Sequence, residues 1–112
     1  MPVDPSSTAR IRQLNDDFRR SLQGGHIVLT QCVRALAPGR LARILRRLRA
    51  YDDFEAGDDP HGEHDFGTID DVGDRFFWKI DYHDPSLLAG SEDPANPLVT
   101  TRVLTLMRTD EY

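Results

Sequence analysis

The chain has 112 residues, of which 38% are hydrophobic and 29% charged, and its formal net charge is −5. This length suits one domain with a single core, and the composition is that of a folded chain rather than a disordered one. It contains no apolar run of the roughly 18 residues that a membrane span needs, and its first residues lack a secretory pattern. The lone cysteine, Cys32, cannot close an internal disulfide. We therefore expect a cytoplasmic protein without membrane contact, with one domain over residues 6–112 behind a flexible tail of residues 1–5.

The charge is distributed unevenly along the chain. Residues 1–51 carry ten arginines against three acids, a net charge of +7. Residues 52–112 carry sixteen acids against four basic residues, a net charge of −12. Either the two halves pack together and partly neutralise each other, or they present opposed basic and acidic surfaces to different partners.

The residue pattern of the first half of the chain predicts a helix, a strand and a second helix. Apolar residues recur at spacings of three and four from Ile11 to Leu22, and two glycines at 24 and 25 end this helix. Residues 26–33 are apolar and β-branched, which predicts a buried strand. A second helix is predicted over residues 39–51, with Pro38 at its start. Its outer faces carry a candidate basic surface of Arg40, Arg43, Arg46 and Arg47.

The second half predicts two long loops and three strands. Residues 52–65 include seven acids and form a loop of a length typical of functional segments. Residues 66–71 and 75–84 flank a turn over 72–74 and predict a hairpin. A proline-rich loop over 84–97 leads to a strand over 99–107, for which a helix is the alternative. The order is α-β-α-β-β-β, an α+β fold of two helices packed on a mainly antiparallel sheet of about four strands.

Histidines and carboxylates are concentrated around this hairpin. Pairing about the turn predicts that residues near 65 lie opposite residues near 81, which would gather imidazoles and carboxylates at one corner of the sheet. Such a corner suits a divalent cation such as Zn, Mn or Fe, or a metal-free acid–base pair. The alternative is that these groups are solvated acids and backbone caps that need no cofactor. The candidate catalytic residues are Glu63, His64, Asp65 and Asp81, and the candidate metal ligands are His64, Asp65, Asp81, His61 and His83.

Four separated motifs carry a resemblance to a known family. They are DPHGEHDFG at 59–67, FWKIDY at 77–82, TRVLT at 101–105 and DEY at 110–112. With them the chain resembles a family of short bacterial proteins of unknown function that are common on plasmids and other mobile elements. The family pattern has a tyrosine at the position of His83 and often an aromatic residue at that of His61, which weakens the metal hypothesis. The resemblance implies a role in plasmid maintenance or in countering host defence, and it carries over no catalytic residue.

Three function classes follow from these observations. The leading hypothesis is a non-enzymatic accessory protein that binds another protein, such as a host defence or nucleic-acid-handling factor, through its acidic half. The second is a small metal-dependent hydrolase at the corner of the sheet. The third is a nucleic-acid binder that uses the arginine-rich helix, which the overall acidity disfavours. The candidate partner-binding residues of the first class are Asp58, Asp59, Glu63 and Asp65.

Overall fold

The computed structural model describes residues 5–112. Four of the five residues of the predicted tail lie outside this range, and the fifth begins the first helix. The helices are α1 (Pro5–Ser21), α2 (Gln31–Arg34) and α3 (Pro38–Arg49). The strands are β1 (His26–Leu29), β2 (Phe66–Asp71), β3 (Asp74–His83) and β4 (Thr101–Arg108), and a short 3₁₀ turn over Thr109–Glu111 follows.

The four strands form one sheet in the order β1-β4-β3-β2. β1 runs parallel to β4, while the β3 strand pairs antiparallel with both β2 and β4. The predicted α+β class and the mainly antiparallel four-stranded sheet are therefore confirmed. The predicted strand near residue 100 is also confirmed, because residues 101–108 pair along their whole length with β3 rather than forming a helix.

One face of the sheet holds the core. Phe76, Trp78 and Ile80 alternate along β3 and are buried, as the period of two predicts. The core cluster adds Leu104 and Leu106 from β4, Phe18 from α1, and Ile44 and Leu48 from α3. On the other face of β3, the ring of Phe77 contacts Phe66 and Tyr112, with ring centroids 5.5 and 5.4 Å apart. This smaller aromatic group covers part of the face that the helices leave uncovered.

The predicted strand over residues 26–33 is wrong beyond Leu29. The chain turns at Thr30, and residues 31–34 form the short helix α2. The Glu111 carboxylate accepts hydrogen bonds from Thr30 Oγ1 at 2.7 Å and from the Cys32 backbone N–H at 2.9 Å. Val33 is fully buried. Its apolar side chain therefore predicted burial correctly, but it did not predict the helical backbone conformation.

The remaining connections are close to the prediction, but the helix predicted over residues 39–51 ends at Arg49, and the loops predicted over 52–65 and 84–97 are each longer. Residues 50–65 and 84–100 are long connections with little regular structure, and α3 has proline at its first turn. Gly67 lies where β2 approaches the helices, and a Cβ there would come within 2.6 Å of the Tyr51 ring. Within residues 5–112, no helix combines the length and the apolar character that crossing a membrane requires.

Candidate functional site

The imidazole of His64 connects the loop of residues 50–65, which we call the acidic loop, to helix α1. His64 Nδ1 lies 3.0 Å from Asp16 Oδ1, and its Nε2 lies 3.8 Å from Asp59 Oδ2. The ring stacks on Phe54 with a centroid separation of 3.7 Å and an interplanar angle of 1°. The backbone at His64 has a φ of +57°, and its N–H donates to Asp59 Oδ1 at 3.1 Å. Both ring nitrogens therefore face carboxylates, and one ring face is covered.

Asp16 connects this histidine to a buried arginine. Arg19 is 1% exposed, and its Nη1 donates to Asp16 Oδ1 at 2.8 Å. Burial raises the pKa of Asp16, but hydrogen bonds from Arg19 and His64 outweigh it and hold that pKa below its ordinary value. Arg19 Nη2 donates to the carbonyl oxygen of Tyr51 at 2.9 Å, and its guanidinium lies over the Trp78 ring. The guanidinium thereby joins α1 to the beginning of the acidic loop.

A second polar chain runs from Glu63 into the core. Tyr82 Oη donates to Glu63 Oε2 at 3.0 Å, and Asn15 Nδ2 donates to Tyr82 Oη at 2.8 Å. Arg102 Nε then donates to Asn15 Oδ1 at 2.6 Å. Burial raises the pKa of the Tyr82 phenol far above its ordinary value, which keeps it a neutral hydrogen-bond donor. The charges of Glu63 and Arg102 are thus linked through two neutral side chains.

The side chains predicted to meet at one corner of the sheet lie on opposite faces of it. The Ile80 N–H donates to the Asp65 carbonyl oxygen at 2.8 Å, so residue 65 does lie next to the Asp81 end of β3. The Asp81 carboxylate, however, pairs with Lys79 at 3.1 Å on the face opposite Tyr82. His83 lies on that same face by strand alternation, and Glu63 and His64 lie beside α1. Asp81 and His83 therefore do not join Glu63 and His64.

The candidate metal ligands are spread over different surroundings. Among residues 5–112, no group of three or more His, Cys, Asp or Glu side chains is placed to hold an ion. His61 is exposed to solvent, whereas Asp65 is partly buried. Burial, followed by the negative charge of Glu63, raises the pKa of Asp65. Chemically, the His64–Asp16 pair resembles a carboxylate-held general base, and in this structure it fixes the loop to the helix.

The candidate partner-binding acids differ in exposure. Asp58 is exposed, the Asp59 side chain is only 6% exposed, and Glu63 and Asp65 are partly buried. Within the described part of the chain, a different set of loop acids is both exposed and without a salt bridge: Asp52, Asp53, Glu55 and Asp58. We call residues 52–58 the acidic segment.

Most of the candidate basic surface is bound to the β2–β3 turn. The buried Asp71 carboxylate accepts from Arg40 Nε and Arg43 Nε, each at 2.9 Å, and Arg47 lies 3.9 Å from it. Hydrogen bonds from Arg43 and Arg40 hold the pKa of Asp71 far below its ordinary value. Arg46 is exposed. These pairs support the interpretation that the basic and acidic halves partly neutralise each other.

Five side chains of these networks were not predicted from the sequence: Asn15, Asp16, Arg19, Tyr82 and Arg102. Two of them left a signal in the pattern. Asn15 lies in the apolar stripe of α1, four residues after Ile11, and Arg102 occupies the same strand face as Leu104 and Leu106. A polar residue at a core-facing position predicts a buried hydrogen-bond network, because unpaired polar groups are costly inside a protein.

The protein is thus a small α+β protein in which a long acidic loop is fixed to a helix by buried polar networks. It belongs to the family described as "Protein of unknown function (DUF3768)", whose model matches residues 29–111. The match includes Glu63, His64, Tyr82 and Arg102, whereas their partners on α1 precede it. The predicted resemblance to a family of unknown function is confirmed. No curated protein and no solved structure matches the chain.

Proposed function

We propose that the protein is a non-enzymatic binding protein that holds a basic surface of another protein through the acidic segment. The single observation that carries the proposal is the contrast between two groups of acids. Asp71 and Asp74, on either side of the β2–β3 turn, are bound to arginines of α3. The carboxylates of residues 52–58 are exposed and form no salt bridge with the residues that the structure describes. The acidic segment therefore carries four exposed, uncompensated carboxylates within seven residues.

The acidic segment has a defined shape, which supports a role in recognition. The backbone N–H groups of Asp58 and Asp59 donate to the Glu55 carbonyl oxygen at 3.0 and 2.8 Å. Arg12 Nε donates to the Gly62 carbonyl oxygen at 2.7 Å, which fixes the loop to α1 beyond the segment. A segment that is ordered before binding loses less conformational entropy when a partner docks.

We assign acids to the proposed contact surface by their exposure and their lack of salt bridges. Asp58 stays in the proposed surface, and Asp52, Asp53 and Glu55 join it. Asp59 and Glu63 are assigned instead to holding the loop in place, through the His64 N–H and the Tyr82 hydroxyl, and the partly buried Asp65 is left out of the surface. The proposed biological setting is a mobile element, with a host defence or nucleic-acid-handling protein as partner. That setting is supported by the motif resemblance and by the ability of acidic surfaces to steer basic partners.

The proposal is tested with a variant that removes the four charges, Asp52→Asn, Asp53→Asn, Glu55→Gln and Asp58→Asn. Proteins captured from the host by the wild type are identified by mass spectrometry, and the purified partner is titrated by calorimetry. We expect affinity to fall at least about tenfold in the variant and to weaken with added salt. Glu92→Gln, an exposed acid outside the segment, is the matched control. Equal affinity of wild type and the fourfold variant for every captured partner would contradict the proposal.

The two competing functions make different predictions. A metal-dependent hydrolase at Glu63, His64 and Asp65 predicts that Zn or Mn raises the melting temperature and that His64→Ala abolishes this increase. The proposed binding function requires no cofactor, so we expect the melting temperature to be the same with divalent metal and with a chelator. A nucleic-acid binder predicts a gel shift that is lost when Arg43 and Arg47 are replaced.

A further inference from the structure

A cleft separate from the acidic segment lies between the end of α1, the second long loop and β4. Its volume is about 240 Å³. Leu14, Phe18 and Pro97 give it apolar walls, and its lining also includes one acidic and one basic residue, Asp17 and Arg102. The backbone of Gly25 approaches β4 closely, because a Cβ at this position would lie 2.5 Å from the Arg102 carbonyl oxygen.

Arg102 is a buried cation without a carboxylate partner in the described residues. The residue is 5% exposed, and its hydrogen bonds go to Asn15 Oδ1 and, from Nη2 at 2.6 Å, to the Pro94 carbonyl oxygen. Its remaining nitrogen, Nη1, has no hydrogen-bond partner among residues 5–112. Burial lowers the pKa of Arg102, which reflects the cost of holding this charge away from water. A carboxylate in the cleft would offset that cost with a charge-assisted hydrogen bond.

Asp17 gives the same cleft an unused negative charge. Its side chain is exposed and forms no hydrogen bond or salt bridge with the described residues, and only its carbonyl oxygen is bound, by Ser21 Oγ at 2.8 Å. Asp17 and Arg102 do not form a salt bridge with each other. A simple anion would satisfy Arg102 but would be repelled by Asp17. A zwitterion with a carboxylate and an ammonium group satisfies both.

We propose that this cleft binds a free α-amino acid with an apolar side chain. The ligand carboxylate binds the guanidinium of Arg102, and its ammonium group binds the carboxylate of Asp17. Its side chain packs against Leu14, Phe18 and Pro97. The cleft volume is below the roughly 300 Å³ at which sites for drug-sized ligands begin, so it suits a ligand as small as an amino acid. This function is independent of protein binding through the acidic segment.

The first test compares three probes that differ in one charged group. L-leucine carries both groups, leucinamide lacks the carboxylate, and 4-methylpentanoate lacks the ammonium group. We expect saturable binding of L-leucine by calorimetry, with shifts of the Ser21, Gly24 and Thr100 amide signals in NMR spectra. Each analogue should bind at least about tenfold more weakly, because it leaves one charged group of the cleft unpaired. Equal binding of leucine and the analogues would overturn the proposal, as would no saturable binding of L-leucine, L-methionine or L-phenylalanine.

The second test removes the negative charge of the cleft. Asp17→Asn preserves the fold because the side chain is exposed and has no partner among the described residues, and it should abolish the preference for leucine over 4-methylpentanoate. Glu92→Gln should leave that preference intact. Arg102→Lys should weaken leucine binding. If the Arg102→Lys variant does not fold, Asp17→Asn still tests the proposal. A leucine preference that survives Asp17→Asn would overturn the proposal. The fourfold acidic-segment variant should bind leucine normally, which separates this site from the proposed protein-binding function.

Discussion

Asn15 and Arg102 are joined by a hydrogen bond of 2.6 Å between Asn15 Oδ1 and Arg102 Nε, although they are 87 positions apart in the sequence. Asn15 is completely buried, and its amide nitrogen donates to the Tyr82 hydroxyl and to the Glu63 carbonyl oxygen. One side chain of α1 thereby holds the acidic loop, β3 and β4 together. Stability and the position of the loop depend on the same contact.

Replacing Asn15 with alanine should therefore cost much more than removing one average hydrogen bond. The variant leaves Arg102 Nε without its buried acceptor and removes a donor from the Glu63 carbonyl oxygen, and the guanidinium keeps only its bond to the Pro94 carbonyl oxygen. We expect the free energy of unfolding to fall by about 2–4 kcal/mol, measured by urea denaturation. Gln13→Ala, on the exposed side of the same helix, should change it by less than about 0.5 kcal/mol. A loss below about 1 kcal/mol for Asn15→Ala would show that the network contributes little.

The sequence predicted the elements whose signals are local. Pro38 gave the start of α3, and alternation gave the buried face of β3 from Phe76 to Ile80. The end of β1 could not be predicted, because it depends on the Glu111 carboxylate, which reaches Thr30 across 81 positions of the sequence. Such a contact exists only after the C-terminal turn packs against α2, and no local pattern encodes it.

The position of residue 65 beside β3 was predicted, but the side chains that contact the His64 region were not. The motif around His64 and the pairing of β2 with β3 placed residue 65 next to the Asp81 end of β3. Alternation then puts Asp81 and Tyr82 on opposite faces, so Tyr82, not Asp81, reaches Glu63. The groups that complete the site come from α1, and Asp16 reaches His64 across 48 positions. Sequence spacing alone does not specify how a helix is placed over a sheet.

The hairpin turn between β2 and β3 contains a residue that is poorly suited to its backbone. Val72 and Gly73 have φ angles of +48° and +82°, as in a type I′ turn, and the Val72 side chain is 78% exposed. Valine is β-branched and disfavours the left-handed region, whereas asparagine tolerates it. Val72→Asn should raise the free energy of unfolding by about 0.5–1 kcal/mol. The control is Val72→Ala, which removes the branch without the preference for this region, and an equal gain from both variants would contradict the turn argument.

Glu111 makes the stability of the protein depend on pH. Burial raises the pKa of this carboxyl, but hydrogen bonds from the Cys32 N–H, Thr30 Oγ1 and the Arg108 N–H outweigh it and lower the pKa to about 2 from 4.5. Because the folded pKa is the lower one, the carboxylate stabilises the fold fully above about pH 4.5 and loses this effect as the pH falls toward 2. Glu111→Gln should therefore be less stable than wild type at neutral pH, and the difference should shrink in acid.

Urea midpoints of both proteins between about pH 7 and about pH 3 measure this difference. The exposed Glu92 supplies the control, since Glu92→Gln should leave the midpoint nearly unchanged over the whole range. A constant gap between wild type and Glu111→Gln at all pH values would mean that the lost contact is not electrostatic.

The His64 ring should be what keeps the acidic loop ordered. His64→Asn removes the ring from Phe54 and Asp16, while asparagine tolerates the positive φ at this position, so the variant isolates the ring contacts from backbone strain. We expect faster hydrogen exchange at the amides of Asp59 and Gly62, and a loss of about 1–2 kcal/mol in the free energy of unfolding. The exposed His61 in the same loop gives the control His61→Asn, which should leave the amide exchange and the free energy of unfolding unchanged.

Two outcomes of the His64→Asn experiment have different meanings. If amide protection in the loop survives His64→Asn, the other hydrogen bonds to α1 suffice to hold the loop. If protection is lost, the same variant should also weaken binding of the basic partner, because the acidic segment would then have to be ordered during docking.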